Sequence, residues 1–277
     1  MMLPDGFVFS QSSLQDYSDC QRRFQLRHVQ RCRWPAPETA DALAFEQCTQ
    51  QGYAFHRLMR RLHSRLSPET LTGMVASDPV LTRWWENYWS APPANLPSGF
   101  TVAELTLATT LCGCRLEVRY DLVTGQPGGP WVIVDWKTSS HRSPRSWWAE
   151  RLQTHTYPFV LVQAGAALNG GQQIAAEHVE MLYWFPEFPS QPERFTYNEE
   201  ALESDRLLLE RMVRDIEERA EDAFSRTENR KLCRYCVYRS LCWDDVLAGV
   251  IAEVVDSDQS ESILDEFDLE AIAPIPY

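Results

Sequence analysis

Apolar and polar positions divide the chain into a helical N-terminal part and a later part with strand periodicity. Apolar residues recur at helical spacing over residues 12–29 and 42–66, which a proline-rich break at 34–39 separates, and again over the aromatic segment 78–89. Apolar positions three and four residues apart share one face of a helix. The pattern therefore predicts three helices before residue 90.

The pattern changes to strand periodicity after residue 100. Residues 101–111, 115–123 and 131–137 alternate or are continuously apolar, with Gly113 and the segment 125–130 supplying the turns. Such runs predict three successive strands. The later elements are predicted as a helix over 145–165, a strand over 179–185, a short strand at 195–197 and a charged helix over 198–226. This order predicts an α/β core with an N-terminal helical addition.

Composition favours a globular protein that works inside the cell. Hydrophobic residues make up 44% of the chain, and no stretch resembles the roughly 18 uncharged apolar residues of a membrane span. The opening residues MMLPDGFVFSQ lack the basic and apolar segments of a signal peptide. We therefore expect a cytoplasmic protein with no membrane partner. Its eight cysteines then favour free thiols, a metal or a cluster over disulfides.

The charge is unevenly distributed along the chain. The net charge is −13, but residues 244–277 contain ten acidic and no basic residues, which leaves −3 on residues 1–243. We predict a single domain over 1–243 and an acidic, flexible tail over 244–277. The tail is either a solvated appendage or a mimic of DNA. Nine arginines lie within the first 65 residues. They are either a local basic face for a polyanion or the solvated faces of helices.

The segment VIVDWKTS at 132–139 ends an apolar strand with two charges of opposite sign. Asp135 and Lys137 stand two residues apart, so an extended chain places both side chains on one face. Lysine is rare here, since the chain has 24 arginines and only Lys137 and Lys231 as lysines. An arginine cannot replace the compact, tunable charge of a lysine. A lone D-x-K is common on surface strands, however, so its neighbours must decide its meaning.

Two further residues predict a metal site around this pair. Asp121 lies near the end of the preceding strand, where it can approach Asp135. Two carboxylates suit Mg²⁺ or Mn²⁺, and His56 from the second helix would add an imidazole ligand for Mn²⁺. Lys137 would then orient or help deprotonate a water. Taken singly, Asp121 is also an ordinary turn residue and His56 an ordinary helix histidine.

The order and spacing of these motifs resemble the RecB-like branch of the PD-(D/E)XK nucleases. The resemblance covers residues 10–243 and runs through GYAFH at 52–56, YD at 120–121, DWKT at 135–138 and QTHTY at 153–157. The last motif is similar to the Q-x-x-x-Y signature of the family. Tyr120 departs from the family, which often carries a small or β-branched residue at that position.

The resemblance implies a fold, a metal site and a reaction. The implied fold is a restriction-endonuclease-like mixed sheet flanked by helices, with an N-terminal helical part and a C-terminal cysteine segment. The implied ligands of Mg or Mn are His56, Asp121, Asp135 and the carbonyl of Trp136. Lys137 would activate water, while Gln153 and Tyr157 would support the site or the DNA.

Four cysteines predict a second inorganic site. Cys233, Cys236 and Cys242 form C-x₂-C-x₅-C, and Cys20 lies in the segment DCQRRF. One early cysteine with such a triplet resembles the iron-sulfur subset of these nucleases, which includes CRISPR-associated RecB-type exonucleases and helicase-nuclease subunits. The resemblance implies a 4Fe–4S cluster that joins the N- and C-terminal segments. Structural zinc is the alternative, because four cysteines also bind zinc.

The resemblance implies a metal-dependent deoxyribonuclease. The expected activity is that of an exonuclease on single strands or DNA ends in repair, recombination or defence, with a separate helicase or other repair or defence protein as partner. The alternative is a non-catalytic iron-sulfur DNA-binding or scaffold module of a helicase-nuclease complex, although every expected catalytic position is filled. The chain lacks the G-x-x-x-x-G-K-(S/T) loop of a helicase motor. Trp147 and Trp148 are candidate DNA contacts or core residues.

Overall fold

A six-stranded mixed sheet lies between two groups of helices. In the computed structural model the chain is described over residues 3–33, 40–139, 141–233 and 236–243, without the side chains of 40–46. The predicted α/β class, with a mixed sheet flanked by helices, is confirmed. The predicted acidic tail over 244–277 lies outside the described residues.

The N-terminal segment is helical but interrupted. Strand β1 (Val8–Ser10) leads into helix α1 (Gln11–Asp19), and α2 (Gln21–Phe24) continues into a π-helical turn, Gln25–Val29. Cys20 between the helices is extended, with φ −161° and ψ 106°. Just beyond it, the backbone N–H of Arg22 donates to the carbonyl of Ser225 at 3.0 Å. The prediction of one continuous helix over 12–29 is therefore wrong at Cys20, which lies where the chain meets a distant partner.

Three further helices precede the main strands. They are α3 (Ala40–His63), α4 (Pro68–Val75) and α5 (Pro79–Ser90). The sequence pattern predicted α3 and α5 but not α4, whose start is nevertheless marked by Ser67 as N-cap and Pro68 in the first turn. Ser67 and Pro68 therefore mark the start of α4, whereas the sequence pattern used them only as the end of the preceding helix.

Asp78 caps α5 and gives a test of this helical layer. Its carboxylate accepts from the backbone N–H of Val80 at 2.8 Å and of Leu81 at 3.1 Å. Asp78→Ala should lower the free energy of unfolding by about 1 kcal/mol, the usual cost of losing a side-chain cap. Urea denaturation measures this, with Asp78→Asn as the matched control that keeps the acceptor. Equal losses in the two variants would contradict the capping role.

The main strands form a sheet with one parallel crossover. They are β2 (Phe100–Leu111), β3 (Cys114–Gly125), β4 (Trp131–Trp136), β5 (Val179–Trp184) and β6 (Glu193–Thr196). β2, β3 and β4 pair antiparallel in succession, β4 pairs parallel with β5, and β6 pairs antiparallel with β5. β1 pairs in parallel with the first residues of β3, from Arg115 to Glu117. All three predicted central strands are confirmed, while β1 was not predicted.

The remaining helices follow the strands. They are α6 (Arg145–Glu150), α7 (Leu152–Ala164), α8 (Glu199–Glu218), α9 (Arg230–Cys233) and α10 (Arg239–Cys242). The predicted helix over 145–165 is broken at Arg151, whose ψ is 133°. Asn198 caps α8, since its side chain accepts from the N–H of Ala201, but α8 ends before the predicted residue 226. No described helix is long and apolar enough to cross a membrane.

Each face of the sheet has its own core. One face buries Trp131, Ile133 and Tyr183 together with residues of α1, α7 and α8. The other face buries Val132, Val134 and side chains of α3, α4 and α5. Helix α7 belongs to the crossover that a parallel β4–β5 pair requires. Residues of α3 and α7 can therefore approach the end of β4 from opposite faces.

Candidate active site

In β2 and β3, the residues that face a given side of the sheet change from one set of alternate positions to the other at one point along each strand. In β3, Leu116, Val118 and Tyr120 face the α7 side, while Leu122 faces the side of α3 to α5. The change falls at Asp121, so its side chain is not held in the regular alternation of the strand.

Glu104 of β2 marks the same point with an unusual backbone conformation. Its φ is +57°, a left-handed value that is costly for residues other than glycine. The ladder pairs the residues on either side, Leu105 with Tyr120 and Ala103 with Leu122. Such local strain is a recurrent feature of functional sites. The strained backbone of Glu104 lies where β2 and β3 change faces, so the side chain of Asp121 does not follow the regular alternation of β3.

Asp121 connects β3 to β4 and to α3. Its Oδ2 accepts a hydrogen bond from the backbone N–H of Trp136 at 2.9 Å, just beyond the last β3–β4 pair. Its Oδ1 lies 3.0 Å from Nδ1 of His56, which α3 supplies from the other face of the sheet. His56 and the backbone N–H of Trp136 thus both contact Asp121, whereas the resemblance implied the carbonyl of Trp136 as a metal ligand.

Asp135, Lys137 and Gln153 form a closed triangle at the end of β4. Gln153, from the first turn of α7, donates through Nε2 to Oδ1 of Asp135 at 2.6 Å and accepts from Nζ of Lys137 at 2.9 Å. Nζ of Lys137 lies 3.0 Å from Oδ2 of Asp135. The side chains of Asp135 and Lys137 are only 6% and 12% exposed. The pair is therefore no solvated surface pair.

Two buried aromatic rings face the ammonium of Lys137. Its Nζ lies 5.8 Å from the ring centroid of Trp148 and 5.6 Å from that of Tyr183. These are cation–π distances. Because Trp148 is 1% exposed, the prediction of a DNA contact is wrong for this residue and the core alternative is confirmed. The sequence analysis missed Tyr183, which looked like any apolar residue of a buried strand.

Tyr157 is linked to the site through Tyr120. The buried hydroxyl of Tyr120 donates to the backbone carbonyl of Tyr157 at 3.0 Å, and the two rings meet edge to face with centroids 5.0 Å apart. Tyr120 precedes Asp121 in β3, so this contact fixes α7 against the strand that carries Asp121. The residue that departs from the family pattern therefore has a structural role here.

Burial and mutual charge shift the ionisation of the acidic and basic groups. Burial, with a contribution from the charge of Asp121, raises the pKa of Asp135 to about 6 against the opposing effect of Lys137. Burial alone would also raise the pKa of Asp121, but His56, the Trp136 N–H and Lys137 hold it below its ordinary value. Burial would lower the pKa of His56, yet Asp121 raises it to about 8. His56 and Asp121 therefore form an ion pair near neutral pH.

The donor atoms of this site fit a hard divalent cation. Two carboxylates, one imidazole and a backbone carbonyl are the ligands that Mg²⁺ and Mn²⁺ use. Oδ2 of Asp135 is buried and makes no regular hydrogen bond within the described residues, although Nζ of Lys137 lies 3.0 Å away as its ion-pair partner, so it keeps a lone pair that a cation could use. In the present arrangement, no three His, Cys, Asp or Glu side chains of the described residues are placed so that together they could hold a metal ion. The His56–Asp121 pair instead occupies two of the candidate donor atoms.

The four predicted cysteines line one small cavity. Cys20, Cys233, Cys236 and Cys242 surround it together with side chains that include Trp243. Burial raises the pKa of the Cys236 thiol to about 12 and also raises that of Cys242. The thiols converge, but within the part of the chain that is described they are not placed so that three of them could hold a metal ion. The cluster stays a prediction.

Comparison with known proteins identifies the family. The model of the "PD-(D/E)XK nuclease superfamily" matches residues 8–243. A solved structure of SSO0001 is similar at 12% identity and TM-score 0.39, covering 89% of this chain and 90% of that one. A structure from Eubacterium rectale named "Putative exonuclease" is similar at 12% identity and TM-score 0.48, covering 88% and 91%. No curated protein sequence matches. The family match includes every residue of the candidate active site, and the chain belongs to the PD-(D/E)XK nuclease superfamily.

Proposed function

We propose that this chain is a metal-dependent deoxyribonuclease that hydrolyses phosphodiester bonds as an exonuclease on single strands or DNA ends. The observation that carries the proposal is the buried triangle of Asp135, Lys137 and Gln153 beside Asp121 and His56. Burying these charges costs free energy that a purely structural role would not require. Superfamily members are nucleases that generally use divalent metals, so the arrangement has a direct chemical use.

Asp121, Asp135, His56 and the carbonyl of Trp136 would hold Mg²⁺ or Mn²⁺. When bound, the metal supplies charge for the phosphate oxygens and lowers the pKa of the attacking water. The two carboxylates bring two negative charges to this position, and the ammonium of Lys137, 3.0 Å from Oδ2 of Asp135, balances only one of them. Binding of the ion requires the neutral form of His56, so the ion pair with Asp121 must give up its proton.

Lys137 would orient the attacking water and stabilise the charge that develops on it. Its ammonium is held from two sides by Asp135 and Gln153, and the rings of Trp148 and Tyr183 restrict it further. Gln153 fixes this geometry because its amide oxygen faces the ammonium and its amide nitrogen faces the carboxylate. A group held in this way loses little rotational entropy when the reaction occurs.

DNA would approach from the side of α3. That helix carries His56 together with the exposed side chains of Arg57 and Arg60. Exposed arginines next to a catalytic site can neutralise backbone phosphates without reading sequence. The acidic balance of the whole chain therefore does not oppose binding of a polyanion. A separate helicase or another repair or defence protein would supply the DNA end, since the chain has no motor motif.

The cysteine cavity would hold a 4Fe–4S cluster, with structural zinc as the alternative. Four sulfur atoms from Cys20, Cys233, Cys236 and Cys242 suit either group. Hydrolysis needs no redox step, so the group would act by holding the two ends of the chain together. Anaerobic purification, iron, sulfide and zinc analysis and the absorption spectrum distinguish the two.

The experiment is a labelled-strand assay with single-stranded, blunt and overhanging DNA. We expect cleavage with Mg²⁺ or Mn²⁺, none with EDTA, and products that shorten from an end. Asp135→Asn should reduce the rate by about a thousandfold, since metal-held charge contributes several kcal/mol. This substitution keeps the shape of the side chain and its ability to accept from Gln153.

Three results would go against the proposal. Equal cleavage by wild type and Asp135→Asn would show that the activity is a contaminant. Internal products from circular DNA would replace the exonuclease assignment by an endonuclease. Tight DNA binding without cleavage under any metal would favour the scaffold alternative.

A further inference from the structure

Helix α7 begins without a cap of its own. Arg151, its N-cap residue, makes no capping hydrogen bond with its side chain. The first N–H groups of a helix have no partner within the helix, so burial of an uncapped end is costly. Here the amide oxygen of Gln15 in α1 accepts from the backbone N–H of Leu152 at 3.0 Å. One helix therefore caps another across a buried contact.

Gln15 is itself held in one orientation. It is 7% exposed, and its Nε2 donates to Oδ1 of Asp19 at 3.0 Å. The other oxygen of Asp19 pairs with Nη2 of Arg23 at 2.9 Å. Because the nitrogen is occupied on one side, the amide oxygen must point toward Leu152. Asp19 is the last residue of α1 and directly precedes Cys20, so this arrangement begins at the cysteine segment.

The residue that follows Leu152 is Gln153. Its side chain makes both hydrogen bonds that join Asp135 to Lys137. A shift of the first turn of α7 would move this amide directly, whereas residues later in the helix are also held by the Tyr120–Tyr157 contact. The start of α7 is thus the part whose position depends most on Gln15.

We propose that Gln15 is a positioning residue for the proposed reaction: by capping Leu152 it sets Gln153 across Asp135 and Lys137. The inference rests on the proposed function. Gln15 touches neither the reacting groups nor the candidate metal ligands, and it acts only through the start of α7. Loss of its amide oxygen should therefore change the turnover rate and leave DNA binding as it is.

The test compares Gln15→Met with Gln25→Met. Methionine keeps the length of the side chain and removes the acceptor. We expect Gln15→Met to lower kcat about tenfold, a typical effect of small misplacement, with the DNA Kd unchanged within about twofold. Gln25 is also buried, and it donates from Nε2 to the carbonyl of Glu221 at 2.6 Å, a contact that does not involve α7. Its variant controls for lost stability and should keep the wild-type kcat.

Gln15→Glu supplies the conservative rescue. A carboxylate keeps the acceptor for Leu152 and is favourable at a helix N-terminus, although it faces Asp19. We expect kcat within about threefold of wild type, since the cap is retained. Hydrogen exchange supplies a readout other than activity: the Leu152 amide should exchange faster in Gln15→Met and at the wild-type rate in Gln15→Glu.

The outcomes separate this inference from the proposed function. If wild type does not cleave DNA, the proposed function itself fails. If wild type cleaves and Gln15→Met keeps its kcat despite faster exchange at Leu152, the positioning role is overturned. A Gln15→Glu variant that restores slow exchange at Leu152 without restoring kcat overturns it as well. Should Gln15→Met not fold, Leu152→Pro removes the same donor at a position where helices accept proline, and the same loss of kcat is expected.

Discussion

Lys137→Met should reduce the rate of DNA cleavage by about a thousandfold, within the range that a proton-handling or charge-stabilising side chain contributes. Methionine fills the space between the rings of Trp148 and Tyr183 but offers no charge to a water. Lys137→Arg should be nearly as inactive, because a planar, permanently charged guanidinium cannot fit the point that Asp135 and Gln153 define. Single-turnover rates at saturating enzyme measure both effects.

Lys231 offers a matched control within the same chain. It is the only other lysine, and it is exposed on α9. Lys231→Met should keep the wild-type cleavage rate and the wild-type melting temperature. DNA affinity of Lys137→Met should also stay within about threefold of wild type, since one phosphate contact at most is lost. A Lys137→Met variant that retains more than a tenth of the rate would exclude the lysine from the chemistry.

Cys236→Ser should cause a large loss of stability. Cys236 lines the cavity together with Cys20, Cys233 and Cys242, and burial raises the pKa of its thiol to about 12. A structural metal site adds several kcal/mol to folding, and each kcal/mol corresponds to about 2–4 °C in a chain of this size. We therefore expect the melting temperature to fall by about 10 °C or more, with loss of bound iron or zinc. Calorimetry and elemental analysis on anaerobic protein measure both.

Cys48 distinguishes a metal effect from general sensitivity to cysteine loss. It is exposed on α3 and lies away from the other four thiols. Cys48→Ser should keep the metal content and melting temperature of the wild type. If Cys236→Ser also keeps both, the cavity holds no metal and its cysteines serve as ordinary packing residues.

The central strands could be predicted because their sequence signal is local. Alternation over β2 and β3 and the apolar run of β4 fix strand type and order without knowledge of the rest of the chain. The association of Asp135 with Lys137 followed from their spacing in an extended strand, and both side chains do lie on one face. Short elements such as β1, with three residues, carry too little pattern to be recognised.

The orientation of Asp121 could not be predicted. It depends on the change of face in β2 and β3, which involves the left-handed backbone of Glu104 on a neighbouring strand. The sequence around Asp121 alone looks like a regular strand. Single-sequence periodicity assumes that alternation continues, so it misses a site that arises where alternation fails.

The helix breaks at Cys20 and Arg151 were missed for a related reason. Both residues have ordinary helical neighbours, and neither is a glycine or proline that would mark a break. Their extended conformations coincide with partners far away in sequence, Ser225 for the segment after Cys20 and Gln15 for Leu152. Gln15 itself carries no chemical signal, because its importance comes from the uncapped helix that it meets.

The contacts between residues 25–32 and residues 221–238 affect the order in which parts of the chain can fold during synthesis. Gln25 bonds to the carbonyl of Glu221, and Tyr238 bonds to that of Cys32, across 196 and 206 residues. Closing so long a loop costs conformational entropy, and a chain leaving the ribosome exposes its N-terminal part first. The segment 25–32 can therefore make these contacts only after residues 221–238 have been synthesised. Strands β2 to β6 and α7 precede residues 233–242 in the chain, so the cysteine cavity can form only after those strands and that helix have been synthesised.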